Sequence, residues 1–224
     1  MIAIINNCEL FEEFGQELKS RWWKSGHHDN EATAKFETLL NNFMNLKAEA
    51  AGFLLDEAFL DIEVHFNTIM TPEWAQPGDR YAIDTVAKTL EDYFEDYNCL
   101  RDKNLTMVTK MAQERVGKRY ITSLLQPSAN LLRKRVNFEN AEHRILTAKN
   151  VDREAQQLKR FFRSVGGSDF DSPFEAISDL VKVLDCDTDM VSLMIGTLVK
   201  KYPDVTHDQL LCLLNMREDL VRFF

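Results

Sequence analysis

Between Asn30 and Met70 apolar residues recur every three or four positions without a single proline. The run is Leu39/Leu40, Phe43, Leu46, Ala50, Phe53/Leu54, Ala58, Ile62, Phe66 and Ile69/Met70. Forty residues of helix would reach about 60 Å, far beyond the usual globular helix. This spacing predicts the spine of an elongated helical bundle. The rest of the composition agrees. Only 8 Gly and 5 Pro are spread over 224 residues, too few turn formers for a β-rich chain. With 45% hydrophobic and 28% charged residues, the chain has globular proportions, which argues against wholesale disorder. The predicted class is all-α.

The flanking segments carry the same period. Met1, Ile4, Cys8, Phe11, Gly15, Leu18 and Trp22 form one heptad seam. A seam that opens mid-pattern on an apolar residue predicts more helix upstream, in a longer protein. Ser25–Asp29 breaks that helix, and Asn30 is the expected cap of the long one. Thr71-Pro72 stops the long helix, and Pro77-Gly78 turns the chain. A third helix carries Tyr81, Val86, Leu90, Tyr93/Phe94 and Tyr97. A fourth runs from Leu105 towards Val136, with Pro127 expected to kink or break it. The next covers Ala141–Val165 and is closed by Gly166-Gly167. Helices then shorten: one begins at Ser172-Pro173, one spans Met190–Lys201, and Thr206-His207-Asp208-Gln209 is a capping box opening the last. The expected division is therefore a long-helix bundle over 1–167 and the start of a shorter-helix bundle over 168–224. No repeat of fixed period appears.

Four scattered cysteines (Cys8, Cys99, Cys186, Cys212) without a CxxC pair or a secretory leader read as reduced core residues of a cytosolic protein. The apolar Met1–Ile5 is too short to cross a membrane, so no transmembrane segment is predicted. The net charge of −9 hides an asymmetry. Residues 101–165 hold 15 Lys and Arg against 6 Asp and Glu; the remainder holds 12 against 30.

Three constellations invite a catalytic reading, and each has a plainer one. Glu91-Asp92-Tyr93-Phe94-Glu95-Asp96 sets carboxylates four apart on one helix, as a magnesium site would. Asp56-Glu57 and Asp61 are the only candidates for a facing cluster. The plainer reading is a solvated face, with Tyr93, Phe94 and Tyr97 as its buried stripe. His28-Asp29 resembles the paired ligands of metal-dependent phosphohydrolases, but those need a further histidine from an earlier helix and none precedes His27. His27-His28, which could bind a stray metal ion, reads more plainly as an exposed loop pair. No G-x-S-x-G elbow, Gly-rich phosphate loop or H-E-x-x-H is present, so no catalytic residue, metal ligand or cofactor is assigned. The basic middle is different. Arg133, Lys134 and Arg135, with Lys159, Arg160 and Arg163, are the candidate contacts for an acidic partner or lipid. The competing reading pairs these charges inside the bundle with acidic helices such as Glu91–Asp96. A sequence pI of about 5.1 and the lack of a recognition motif exclude nucleic acid as the expected partner.

Several stretches together resemble the Sec-six family of the exocyst. They are Ile2-Ala3-Ile4-Ile5-Asn6-Asn7-Cys8, Leu54-Leu55-Asp56-Glu57-Ala58-Phe59-Leu60-Asp61-Ile62-Glu63 and Thr89-Leu90-Glu91-Asp92-Tyr93-Phe94. Later come Gln157-Leu158-Lys159-Arg160-Phe161-Phe162 and Thr197-Leu198-Val199-Lys200-Lys201-Tyr202-Pro203-Asp204. They follow the family's order and cover nearly the whole chain; Pro127 and the Gln76–Arg80 linker depart from it. The resemblance implies a rod of stacked antiparallel helical bundles, as in multisubunit vesicle-tethering complexes. It implies assembly with other exocyst subunits, contact with SNARE or SNARE-regulating proteins, and tethering of secretory vesicles to the plasma membrane from the cytoplasm. Membrane contact would be peripheral or indirect. It supplies no catalytic residue. The alternatives are a family paralogue acting outside the exocyst, in membrane protrusion or trafficking, and an α-helical metal-dependent enzyme.

Overall fold

The computed structural model describes residues 1–26, 29–75, 82–125, 138, 140–166 and 172–220. Among them no strand occurs. The helices are α1 (Ile2–Lys24), α2 (Asn30–Phe66), α3 (Pro72–Ala75), α4 (Ala82–Tyr97), α5 (Asp102–Leu125), α6 (Ala141–Gly166), α7 (Ser172–Asp185), α8 (Val191–Lys201) and α9 (His207–Asn215). A 3₁₀ turn at Thr188–Met190 leads into α8. The predicted class holds. His27, His28, Gln76–Arg80, Pro127 and Gly167, each given a role by the sequence pattern, lie outside the described residues.

The chain divides into two compact units. The first comprises Met1–Asp61 with Asp92–Ala112, the second Ile62–Glu91 with Gln113–Phe224.

In the first unit α1 and α2 run antiparallel. Lys19 pairs with Glu37, Lys47 with Glu12, and the Phe11 and Phe43 rings stack at 5.2 Å, so position rises on one helix as it falls on the other. Gly15 lets the two approach: a Cβ there would lie 2.8 Å from Leu40 Cδ2. α4 returns along α2, with Tyr93 Oη donating to Asp61 (2.7 Å) and Tyr97 Oη to the Leu54 carbonyl (3.0 Å). Leu54, Leu55, Ala58, Phe94 and Tyr97 are buried here, each large apolar side chain contributing about 1.5–3 kcal/mol.

Two local expectations need correction. Asp29, not Asn30, caps α2: its carboxylate accepts the Glu31 amide (2.9 Å) and its carbonyl the Thr33 amide. Most of the heptad seam of α1 lies outside. Cys8 and Gly15 are buried beside Ile5, whereas Met1, Ile4, Phe11, Leu18 and Trp22 face outward. The inward line keeps Cys8 and Gly15 from the seam and adds Ile5 with Glu12 and Lys19, the last two paired to α2.

In the second unit α6 and α7 form an antiparallel hairpin. Phe162 stacks on Phe174 (5.7 Å), Ser178 donates to Asp152 (3.3 Å), and Arg144 donates to the Leu184 carbonyl. α5 crosses close to the start of α7 at Gly117, where a Cβ would lie 2.3 Å from Pro173 Cβ. α8 is tied to α7 by Lys201 and Tyr202, which both donate to Asp179 (2.7 and 3.0 Å). Arg217, fully buried after α9, donates to the Val183 and Cys186 carbonyls (2.7 and 2.9 Å) and to Asp219. The predicted capping box is present: Thr206 Oγ1 accepts the Gln209 amide, and Gln209 accepts the Thr206 amide. None of the four cysteines forms a disulfide, but only Cys8 is a core residue; Cys99 is exposed in a turn.

Candidate functional site

Of the six basic residues singled out, Arg133, Lys134 and Arg135 lie outside the described residues. Lys159, Arg160 and Arg163 fall on the last two turns of α6, where spacings of three and four set them on one side of the helix. Lys159 is half-buried; Arg160 and Arg163 are exposed. Arg160 Nε turns back onto its own helix, donating to the Gln156 carbonyl (3.3 Å). Opposite on that helix, Leu158 and Phe162 are buried, so packing of the apolar face presents the basic one.

The acidic stretch of α4 is a solvated face. Glu91, Asp92, Glu95 and Asp96 are exposed, and Lys88 donates to Glu91 (2.8 Å). Leu90, Phe94 and Tyr97 form the buried stripe, with Tyr93 half-buried at its edge. The hydrogen bond to Asp61 pushes the Tyr93 phenol up to about 12, so it stays a donor. Among the described residues no group of three His, Cys, Asp or Glu is arranged to hold a metal ion.

Two polar nodes escaped the sequence reading. In the second unit the buried Glu154 of α6 accepts from Tyr120 Oη of α5 (2.7 Å) and from Trp74 Nε1 of α3 (3.0 Å). Burial pushes its carboxyl up to about 7, against the two hydrogen bonds, which favour the charged form. One glutamate in a predominantly basic helix gives no sequence signal. α3 gives none either, because four residues are too short to show a period. In the first unit Asn6 accepts the Arg101 amide (2.9 Å) and donates to the Cys99 carbonyl (2.9 Å), closing the turn from α4 to α5. Asn104 donates to Glu9 (2.9 Å) and to Asn6 (3.1 Å). These nodes hold helices together. A cleft of about 190 Å³ in the second unit, between Ile121, Leu180, Leu198 and Val205, is below the usual size of a small-molecule site.

The sequence matches the family model for the exocyst complex component Sec6 over residues 1–222. It is 38% identical over 225 residues to exocyst complex component 3 of Drosophila melanogaster, covering 98% of this chain and 28% of the relative. The chain belongs to the Sec6 family. It thus spans under a third of that relative's length. The crystal structure of the C-terminal domain of the exocyst subunit Sec6p shares the fold at 16% identity, with a TM-score of 0.75 over 97% of this chain and 54% of that one. The crystal structure of M-Sec does so at 21% identity, with a TM-score of 0.76 over 99% of this chain and 36% of that one. Against the Sec6 background the quoted motifs acquire physical roles. Asn6 closes the α4–α5 turn, Leu54–Ala58 supply core and the carbonyl that Tyr97 meets, Leu158 and Phe162 bury the inner face of α6, and Tyr202 anchors α8. Each sets how one helix lies on another. Among the described residues no helix is long and apolar enough to cross a membrane.

Proposed function

We propose that this chain is a non-catalytic structural segment of an exocyst subunit, acting through protein–protein contacts in the tethering of secretory vesicles to the plasma membrane. The observation that carries this reading is the match to the Sec6 family along almost the entire chain, joined to 38% identity with exocyst complex component 3. Its physics is compatible: long antiparallel helices expose lateral faces for helix docking and need no cofactor. The partners are other exocyst subunits, with SNARE or SNARE-regulating proteins as further ones. The place of action is the cytoplasm, with recruitment to the membrane at sites of secretion. Lys159, Arg160 and Arg163, with Arg133–Arg135, are proposed as a contact for an acidic protein surface.

The experiment is co-expression of the subunit carrying this segment with the remaining exocyst subunits of the same organism. Co-elution in one assembly on size exclusion is expected, with charge reversal at Lys159, Arg160 and Arg163 weakening it. A protein that elutes alone, while the other subunits assemble without it, would overturn the reading in favour of a paralogue acting in membrane protrusion or trafficking.

A further inference from the structure

The outward part of the α1 seam has a counterpart on α2. Leu39, Leu46, Phe53 and Leu60 are all exposed and stand seven residues apart, which places them in one line along the helix. Phe43 lies four residues after Leu39 and three before Leu46, on the same flank. On α1, Phe11, Phe14 and Leu18 are likewise exposed and share a flank. The stack of Phe11 on Phe43 brings these flanks together on one side of the hairpin. Over Leu39–Leu46 the two stripes therefore flank one apolar groove, and the α2 stripe carries that apolar surface on through Phe53 and Leu60. Such a continuous apolar surface marks an interaction site, whereas scattered exposed apolar residues do not.

Charge decides what can occupy it. Residues 1–61 carry 5 Lys and Arg against 11 Asp and Glu. Beside the α2 stripe stand the exposed Glu49 and Glu57, the latter between Phe53 and Leu60. A second copy would set acidic rim against acidic rim, and an anionic membrane would be repelled in the same way. A helix with basic edges would be attracted. We propose that the α1–α2 groove seats an amphipathic helix of a partner protein, with an apolar heptad seam bordered by Lys and Arg. This rests on the reading of the chain as an interaction subunit and names the chemistry of one contact. The register is that of a coiled coil: a third seam fills the holes between the two stripes, and its edge cations meet Glu49 and Glu57.

The probes are two fluorescent designed peptides of four heptads, with Leu and Ile in the seam, used at concentrations where each is monomeric. One carries Lys at the seam-flanking positions, the other Glu. The Lys peptide should bind the 224-residue chain one to one, raising anisotropy, and bind less tightly as salt increases. Leu46→Glu with Phe53→Glu should weaken it at least tenfold, with helicity unchanged by circular dichroism. Glu49→Lys with Glu57→Lys, which leaves the apolar stripe intact, should weaken the Lys peptide and improve the Glu peptide.

Failure of both peptides, or equal binding of both, would overturn the proposal. So would a dimer of the chain that Leu46→Glu with Phe53→Glu dissociates, or binding of the groove to neutral or anionic vesicles. Peptide failure with exocyst assembly intact would sink this inference alone, and lost assembly with intact peptide binding would sink only the subunit reading.

Discussion

Glu154 is where a single side chain sets a solution property. Its carboxyl, held up to about 7 by burial, binds a proton in the folded chain over a range where the unfolded chain has released it. The folded state thus gains relative stability as pH falls from 8 to 5, and loses it as pH rises through 7. Asp219 and Glu13, each held low first by a hydrogen bond from an arginine, Arg217 or Arg101, act with the opposite sign only at more acidic pH. Glu154→Gln mimics the protonated acid while keeping an acceptor for Tyr120 and Trp74. We expect the melting temperature of the native chain to rise between pH 8 and pH 5, and that of Glu154→Gln to be higher at pH 8 and nearly flat. The difference at pH 8 is on the order of 3 kcal/mol or less. An unchanged pH profile in the variant would show that the node does not titrate.

At the scale of the helix, close approach is tested best by a pair of glycines. Gly117→Ala would drive a Cβ to 2.3 Å from the rigid ring of Pro173, forcing α5 and the start of α7 apart at a cost of about 1–3 kcal/mol. Gly52, inside α2, has nothing within 4 Å of its would-be Cβ, so Gly52→Ala should stabilise by about 1 kcal/mol through helix propensity. Urea unfolding of both variants should move the midpoint in opposite directions; movement in the same direction would contradict the packing described. These helices were legible in the sequence because a three-and-four period survives any tertiary context. The Thr206–Gln209 box was legible because its partners are local. Which face each stripe turned inward was not. Periodicity marks a stripe but not what covers it, so Leu46 and Phe53 read the same as the buried Leu40 and Leu54. Glu154 and Trp74 stayed hidden for a related reason: they are 80 residues apart, and only the packing of three helices joins them.

For the whole molecule the controlling quantity is a net charge of −9 with its cations concentrated in the middle of the chain. Long-range repulsion by the acidic excess opposes any local attraction of Lys159, Arg160 and Arg163 for lipid headgroups, which is worth up to about 1 kcal/mol per charge. The chain should therefore stay in the supernatant with phosphoinositide-containing vesicles at physiological salt; pelleting that is lost on Arg160→Glu with Arg163→Glu would make the patch a lipid site instead. The connectivity of the first unit also has a consequence in time. Glu9 and Asn104, bonded across 95 residues of sequence, cannot meet until the later one has been made. At translation rates of about 5–20 residues per second, α1 waits roughly 5–20 s for its polar partners. During that interval Phe11, Phe14 and Leu18 emerge beside a core strip that is also uncovered. The nascent hairpin is then at its most adhesive, and a chaperone or an early-arriving partner would find α1 before the rest of its own unit does.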